Sequence, residues 1–125
     1  MQSNWVLPWT VAAANNFGSV AAMQYRAVNL AGDLAATPQT AIGVMASKPQ
    51  SGEFGTVHMA GIMKGRFGGA VNSGAAITVS ASGFLTAYTA IGSGGGVPVG
   101  RALVQVASGD VGEFAGNFLN GGLLV

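Results

Sequence analysis

The sequence predicts an all-β fold, a small compact β-barrel or sandwich of about seven short strands with an extended N-terminal arm. After Gly18 the chain consists of short apolar runs separated by turn residues, which is typical of β domains. No long segment repeats its apolar residues at the helical spacing of three and four. Glycine supplies 21 of the 125 residues, more than double its usual share of roughly 7%.

The opening residues 1–18 differ from the rest of the chain. Trp5, Leu7 and Trp9 alternate at the period of a strand, and Pro8 prevents a regular helix. Two interpretations are open: a strand that folds back on its own core, or an arm whose tryptophans anchor in a neighbouring subunit. We divide the chain into an N-terminal extended arm, 1–18, and a β domain with an apolar C-terminal tail, 19–125.

Seven strands are predicted in the β domain, each bounded by residues that favour turns. They are Met23–Leu30, Ala41–Ala46, Thr56–Phe67, Ala76–Ser80, Phe84–Tyr88, Val99–Val106 and a weaker Glu113–Leu119.

The strand Thr56–Phe67 shows the clearest alternation, because successive side chains point to opposite faces of a sheet. The predicted core face carries Val57, Met59, Met63 and Phe67. The opposite face carries His58, Lys64 and Arg66, with Ile62 as an apolar exception. The glycines at 61 and 65 are expected to mark bends or bulges.

Catalytic patterns are absent from the sequence. His58 is the single histidine, the four carboxylates are scattered, and there is no cysteine. The glycine-rich run 92–96 lacks both the third glycine of a dinucleotide fingerprint and the Lys-Ser or Lys-Thr of a P-loop. We therefore expect no enzyme activity, no catalytic residue, no metal site and no cofactor.

The charge content of 7% and the net charge of +1 favour association over a free monomer. They also argue against nucleic acid as a partner, because duplex binding needs a clustered basic surface. The longest charge-free run, 67–100, carries too many polar residues for a membrane helix, and no signal peptide is predicted. Lys64 and Arg66 are either ordinary solubilising charges or groups that meet an acidic patch on a partner protein.

The order of four motifs resembles the small capsid decoration, or cement, proteins of tailed bacteriophages. The motifs are YRAVNL (25–30), AIGVMASKPQSGEFGTVHMAG (41–61), GGAVNSGAAITVSASGFLTA (68–87) and VPVGRALVQVASGDVGEF (97–114). They span about three quarters of the chain, whereas the opening segment and the tail FLNGGLLV have no match in the family pattern. The resemblance implies a compact β domain without enzyme activity. It also implies that the domain binds as an oligomer, commonly a homotrimer, to the major capsid protein on the outer surface of the virion and clamps neighbouring subunits.

Under this hypothesis a set of apolar and basic residues is expected at contacts with partner subunits. It comprises Trp5, Leu7, Trp9, Lys64, Arg66, Phe118, Leu119, Leu123, Leu124 and Val125. Two other functions are open. One is a self-assembling minor coat or fibre-base protein, and the other is a small β-barrel module that binds host-surface glycans through Tyr25, Tyr88 and the tryptophans.

Overall fold

A computed structural model describes residues 6–14, 17, 24–38, 40–88 and 98–118. The described residues form eight β-strands and one 3-10 turn at Ala81–Gly83. The strands are β1 (Val6–Ala12), β2 (Ala27–Val28), β3 (Gly43–Met45), β4 (Phe54–Arg66), β5 (Ala76–Val79), β6 (Leu85–Ala87), β7 (Gly100–Ala102) and β8 (Val111–Asn117). The predicted all-β class is confirmed, and each of the seven predicted strands contains or overlaps one of β2 to β8.

All eight strands belong to one antiparallel, nearly closed, barrel-shaped sheet. The order is β2-β3-β4-β8-β7-β5-β6, and β1 pairs with β4 outside this path. β4 is the longest strand, with 13 residues, and it pairs with β1, β3 and β8. The sheet is therefore organised around β4.

The segment Val6–Ala12 is extended, as predicted, and pairs with β4 of its own chain over seven residues. The backbone of this described segment thus folds back on its own domain, and the contact of the tryptophans with a neighbouring subunit stays a prediction. Pro8 is accommodated at a register shift, where the pairing passes from Leu7 with Ala60 to Pro8 with His58. The division of the chain at residue 18 stays a prediction.

Three phenylalanines stabilise the centre of the larger of two core clusters. Phe114 meets Phe67 edge to face at 6.4 Å and Phe118 edge to face at 6.2 Å between ring centroids. All three side chains are buried. Burying one such side chain contributes about 1.5–3 kcal/mol, and each edge-to-face pair adds about 0.5–1.5 kcal/mol. A smaller cluster lies under β1 and β3, around Val57 and Met45.

The two ends of the strand order meet where the turn before β6 contacts β2. The backbone of Gly83 has φ +77°, and a Cβ added there would lie 2.5 Å from the carbonyl oxygen of Ala27. Only glycine combines this left-handed conformation with so close an approach. The guanidinium of Arg26 covers the ring of the adjacent Phe84 at 4.0 Å. This contact between turn and strand brings the sheet close to a closed barrel.

The two glycines of β4 serve different purposes. Gly61 has φ +112° and lies next to the register shift against β1, which agrees with the predicted irregularity. Gly65 lies in an unbroken register opposite Gly112, so the ladder contains no bulge at this position. A Cβ at Gly65 would lie 2.8 Å from Cε1 of Phe114 and closer still to Leu85. Gly65 is thus required by core packing.

Candidate interaction surface

Two of the predicted anchors, Leu7 and Trp9, lie exposed on β1. Leu7 is 41% exposed and Trp9 is 55% exposed. Trp9 is paired with the fully buried Val57 and lies two residues before the buried Val11. Its indole therefore belongs to the side of the sheet that forms the core, but β1 pairs only with β4 and leaves half of the ring uncovered. Such a half-covered tryptophan is suited to contact a second protein.

Phe54 is the most exposed large apolar side chain among the described residues, at 74%. Phe54 pairs with the exposed Ala12 of β1. On its own strand it lies two positions before the exposed Thr56, so the two side chains share one face of the sheet. Phe54 is therefore on the opposite side of the ladder from Trp9. Phe54 was not predicted as a contact residue because the predicted strand began at Thr56. Extending the alternation by two residues would have placed an aromatic side chain on the polar face.

The predicted basic pair Lys64 and Arg66 lies on β4, but the two side chains have different surroundings. Lys64 is exposed and is the cross-strand neighbour of Glu113. Arg66 is half-buried and its Nη1 donates a 2.9 Å hydrogen bond to the carbonyl oxygen of Gly109, which fixes the turn before β8. Its Nε is buried and has no hydrogen-bond partner. Arg66 therefore contributes to the structure of the domain, and Lys64 is the more accessible of the two.

Phe118 is 3% exposed and packs against Phe114, so its side chain belongs to the domain core. Its place in the core explains why residue 118 is apolar, so no contact with a partner subunit is needed to explain it. The other predicted contact residues, Trp5, Leu119, Leu123, Leu124 and Val125, lie outside the described residues. Their assignment to a partner contact stays a prediction.

A surface depression of about 230 Å³ lies beside the middle of β4. Its lining includes Val6, Tyr25, His58, Ile62, Lys64 and Glu113. Partial burial lowers the pKa of His58 below its usual value. The histidine predicted on the solvent-facing side of its strand therefore lies half-buried in a recess.

Tyr25 is held at the rim of this depression in a conformation that is uncommon for a side chain larger than glycine. Its φ is +71°, which costs on the order of 1–2 kcal/mol. The backbone is fixed there because Tyr25 N–H donates to the carbonyl oxygen of Met45, and Arg66 N–H donates to the carbonyl oxygen of Tyr25. The ring is thus placed by hydrogen bonds to two different strands.

A second depression, of about 280 Å³, adjoins the first and shares Lys64 and Glu113 with it. Its remaining lining consists of Val104, Val111 and Gly112. Val104 is 43% exposed, and Leu103 next to it is equally exposed. The two depressions together form a mostly apolar trough across the β4–β8 ladder, with one positive and one negative side chain at its centre. We call this surface the β4–β8 trough.

Within the described part of the chain, no group of three or more histidine or acidic residues is arranged to hold a metal ion. None of the helical segments described is long and apolar enough to span a membrane.

The fold is similar to that of a bacteriophage structural protein. The head fiber gp8.5 N base of bacteriophage phi29 superimposes with a TM-score of 0.66 at 16% sequence identity, over 91% of this chain and 96% of that one. At this identity the likeness concerns the fold. No protein-family model and no curated protein sequence matches the chain.

Proposed function

We propose that the chain is a structural protein of a phage virion that binds the outer surface of the head shell. The observation that carries the proposal is the likeness of its fold, over 91% of its length, to the base of a phage head fibre. The four sequence motifs that resemble capsid decoration proteins support the same location independently. In this proposal the chain has no enzymatic role and uses no cofactor, and its partners are the major capsid protein and further copies of itself.

The contact with the shell is proposed to involve the exposed apolar side chains of β1. Leu7 and Trp9 are supplied on a strand held by seven residue pairs, so little conformational entropy is lost when they bind. A protein with 7% charged residues has few groups to desolvate at such a contact. The affinity of each contact can be modest, because an oligomer that touches several capsid subunits gains effective concentration.

Two finer roles are consistent with this location. In the first, the domain is a decoration protein that clamps neighbouring capsid subunits, as the resemblance of the motifs implies. In the second, it is the base on which a head fibre stands, which the fold likeness favours. The roles differ in what the domain does for the shell. A clamp raises the temperature or internal pressure that the head withstands, whereas a fibre base leaves both unchanged.

Binding of the purified protein to heads that lack it tests the proposal. We expect saturable co-sedimentation with a fixed number of copies per capsomer. Replacing Trp9 by alanine should weaken binding by about ten-fold or more, since an interface tryptophan commonly contributes at least 2 kcal/mol. Replacing Leu103 serves as the control for loss of an apolar side chain, because it is 43% exposed and follows β7, which β8 separates from β4 in the sheet. Absence of saturable binding by the folded wild-type protein would overturn the proposal.

The heat release of DNA from heads with and without bound protein then separates the two roles. A higher release temperature supports the clamp, and an unchanged one supports the fibre base.

A further inference from the structure

We propose that the first depression of the β4–β8 trough binds a neutral sugar ring, such as one unit of a polysaccharide. This depression is the recess of about 230 Å³ beside the middle of β4. Of the two tyrosines predicted to contact a glycan, Tyr25 lines the recess and Tyr88 does not. The inference concerns a small ligand and does not depend on binding to a phage shell.

The first argument is the size and form of the recess. Its volume of about 230 Å³ is below the roughly 300–1,000 Å³ of pockets that enclose a drug-sized ligand. Lys64 and Glu113 in its lining are exposed, so the recess is open to solvent. It therefore suits one ring of a chain whose other units extend into solvent.

The second argument is the apolar part of the lining, which is formed by the ring of Tyr25 together with Val6 and Ile62. Hydrogen bonds from the backbone of Tyr25 to Met45 and Arg66 hold this residue at φ +71°. Residues held in sparsely populated backbone conformations are concentrated at binding sites. A ring fixed in this way loses little conformational entropy when it contacts a ligand. The C–H groups on one face of a sugar ring pack against such a surface.

The third argument is the polar part of the lining. Lys64 donates hydrogen bonds, the carboxylate of Glu113 accepts them, and a neutral His58 does both. His58 is neutral at about pH 7, because partial burial lowers its pKa below the usual value. Lys64 and Glu113 are direct cross-strand partners, so their Cβ atoms are about 4.5–5.5 Å apart. The hydroxyl groups of a sugar, each of which donates and accepts, match these neighbouring donors and acceptors.

The same side chains disfavour two other classes of ligand. An inorganic anion such as phosphate would meet the positive Lys64 but also the negative Glu113. A purely apolar peptide segment would cover the charged groups without offering them hydrogen bonds, which costs free energy. A neutral ligand with an apolar face and several hydroxyl groups satisfies both parts of the lining.

Titration of the full chain with defined sugars tests the proposal. The probes are the methyl glycosides of glucose, galactose, mannose and N-acetylglucosamine, and inorganic phosphate is the anionic comparison. Two-dimensional amide NMR spectra of the isotope-labelled protein report which residues each probe contacts. We expect at least one sugar to give saturable shifts at residues of the depression. Its dissociation constant should be on the order of 1 mM, since an open recess buries only part of a small ligand.

Two matched pairs of variants locate the site. Tyr25→Ala removes the ring from the recess, and Tyr88→Ala removes an equally half-buried ring outside it. Lys64→Gln removes the positive donor, and Lys48→Gln does the same at an exposed residue outside the recess. Tyr25→Ala and Lys64→Gln should each weaken sugar binding by about ten-fold, whereas the two controls should leave it unchanged. The amide spectrum of each variant also shows whether it is folded.

Four results would overturn the inference: no saturable shift with any of the four sugars, shifts confined to residues outside the depression, phosphate binding tighter than every sugar, or equal weakening by Tyr25→Ala and Tyr88→Ala. Head binding is measured separately by co-sedimentation. Loss of one kind of binding without the other therefore distinguishes failure of this inference from failure of the proposed function.

Discussion

Replacement of Gly83 by alanine tests the contact that brings the sheet close to a closed barrel. The added Cβ would lie 2.5 Å from the carbonyl oxygen of Ala27 and 3.2 Å from Cβ of Arg26. Two costs are expected. The left-handed backbone conformation costs about 1–2 kcal/mol for a residue other than glycine. Overlap with a backbone atom that cannot rotate away adds about 1–3 kcal/mol, as in an overpacked core.

Gly74→Ala is the matched control for the first of these costs. Gly74 has a similar φ of +86°, but a Cβ there would meet nothing within 4 Å. Gly74→Ala should therefore lower the free energy of unfolding by only about 1–2 kcal/mol. Gly83→Ala should lower it by about 2–5 kcal/mol in total. Equilibrium unfolding in urea measures both values under the same conditions. Equal destabilisation of the two variants would show that the turn does not press against β2, and the account of barrel closure would fail.

Three further predictions concern the core, the edge strand and the histidine. Gly65→Ala should lose about 1–3 kcal/mol because its Cβ overlaps the ring of Phe114. Gly69→Ala, whose nearest contact is at 3.3 Å, should lose less, and the reverse order in urea unfolding would refute the packing argument. Trp9→Ala should lower the free energy of unfolding of the isolated domain by less than the roughly 3–5 kcal/mol typical of a buried aromatic, because Trp9 is already 55% exposed. A decrease as large as that of a buried aromatic would mean that Trp9 is part of the core. For His58 the folded pKa lies below its unfolded value of about 6.5, so the unfolded chain takes up the proton first as the pH falls. Stability should thus be retained above about pH 6.5 and decrease below it until the folded pKa is passed, and His58→Gln should remove this part of the pH dependence. An identical slope for the wild type and this variant between about pH 7 and 5 would contradict the assignment.

Much of the fold was predictable because it depends on local alternation and turn chemistry. The buried Val57 and Met63 and the exposed Lys64 in β4, together with the buried Phe67 directly after it, lie as the period of two requires. The exceptions arise where contacts between residues far apart in the sequence determine which residue a position requires. Gly65 has the sequence environment of a bend, but its place is set by Leu85 and Phe114, which are 20 and 49 positions further along the chain. No pattern within a single strand contains that information.

The candidate surface was less predictable than the fold, since exposure depends on which strands lie next to one another. Phe118 and Trp9 are both aromatic residues near the ends of the chain, and the sequence alone assigned them the same role. The structure buries Phe118 against Phe114 and leaves Trp9 half-exposed on β1. The juxtaposition of Lys64 and Glu113 joins residues 49 positions apart and follows only from the register of β4 and β8.

Imaging of heads with and without the protein tests its proposed structural role on the outside of a phage head. Cryo-electron microscopy of heads before and after addition of the wild-type chain yields a difference map. We expect added density on the outer surface, at symmetry-related positions and of a size that fits this β domain. No added density at saturating protein concentration, or density confined to the interior of the shell, would contradict it.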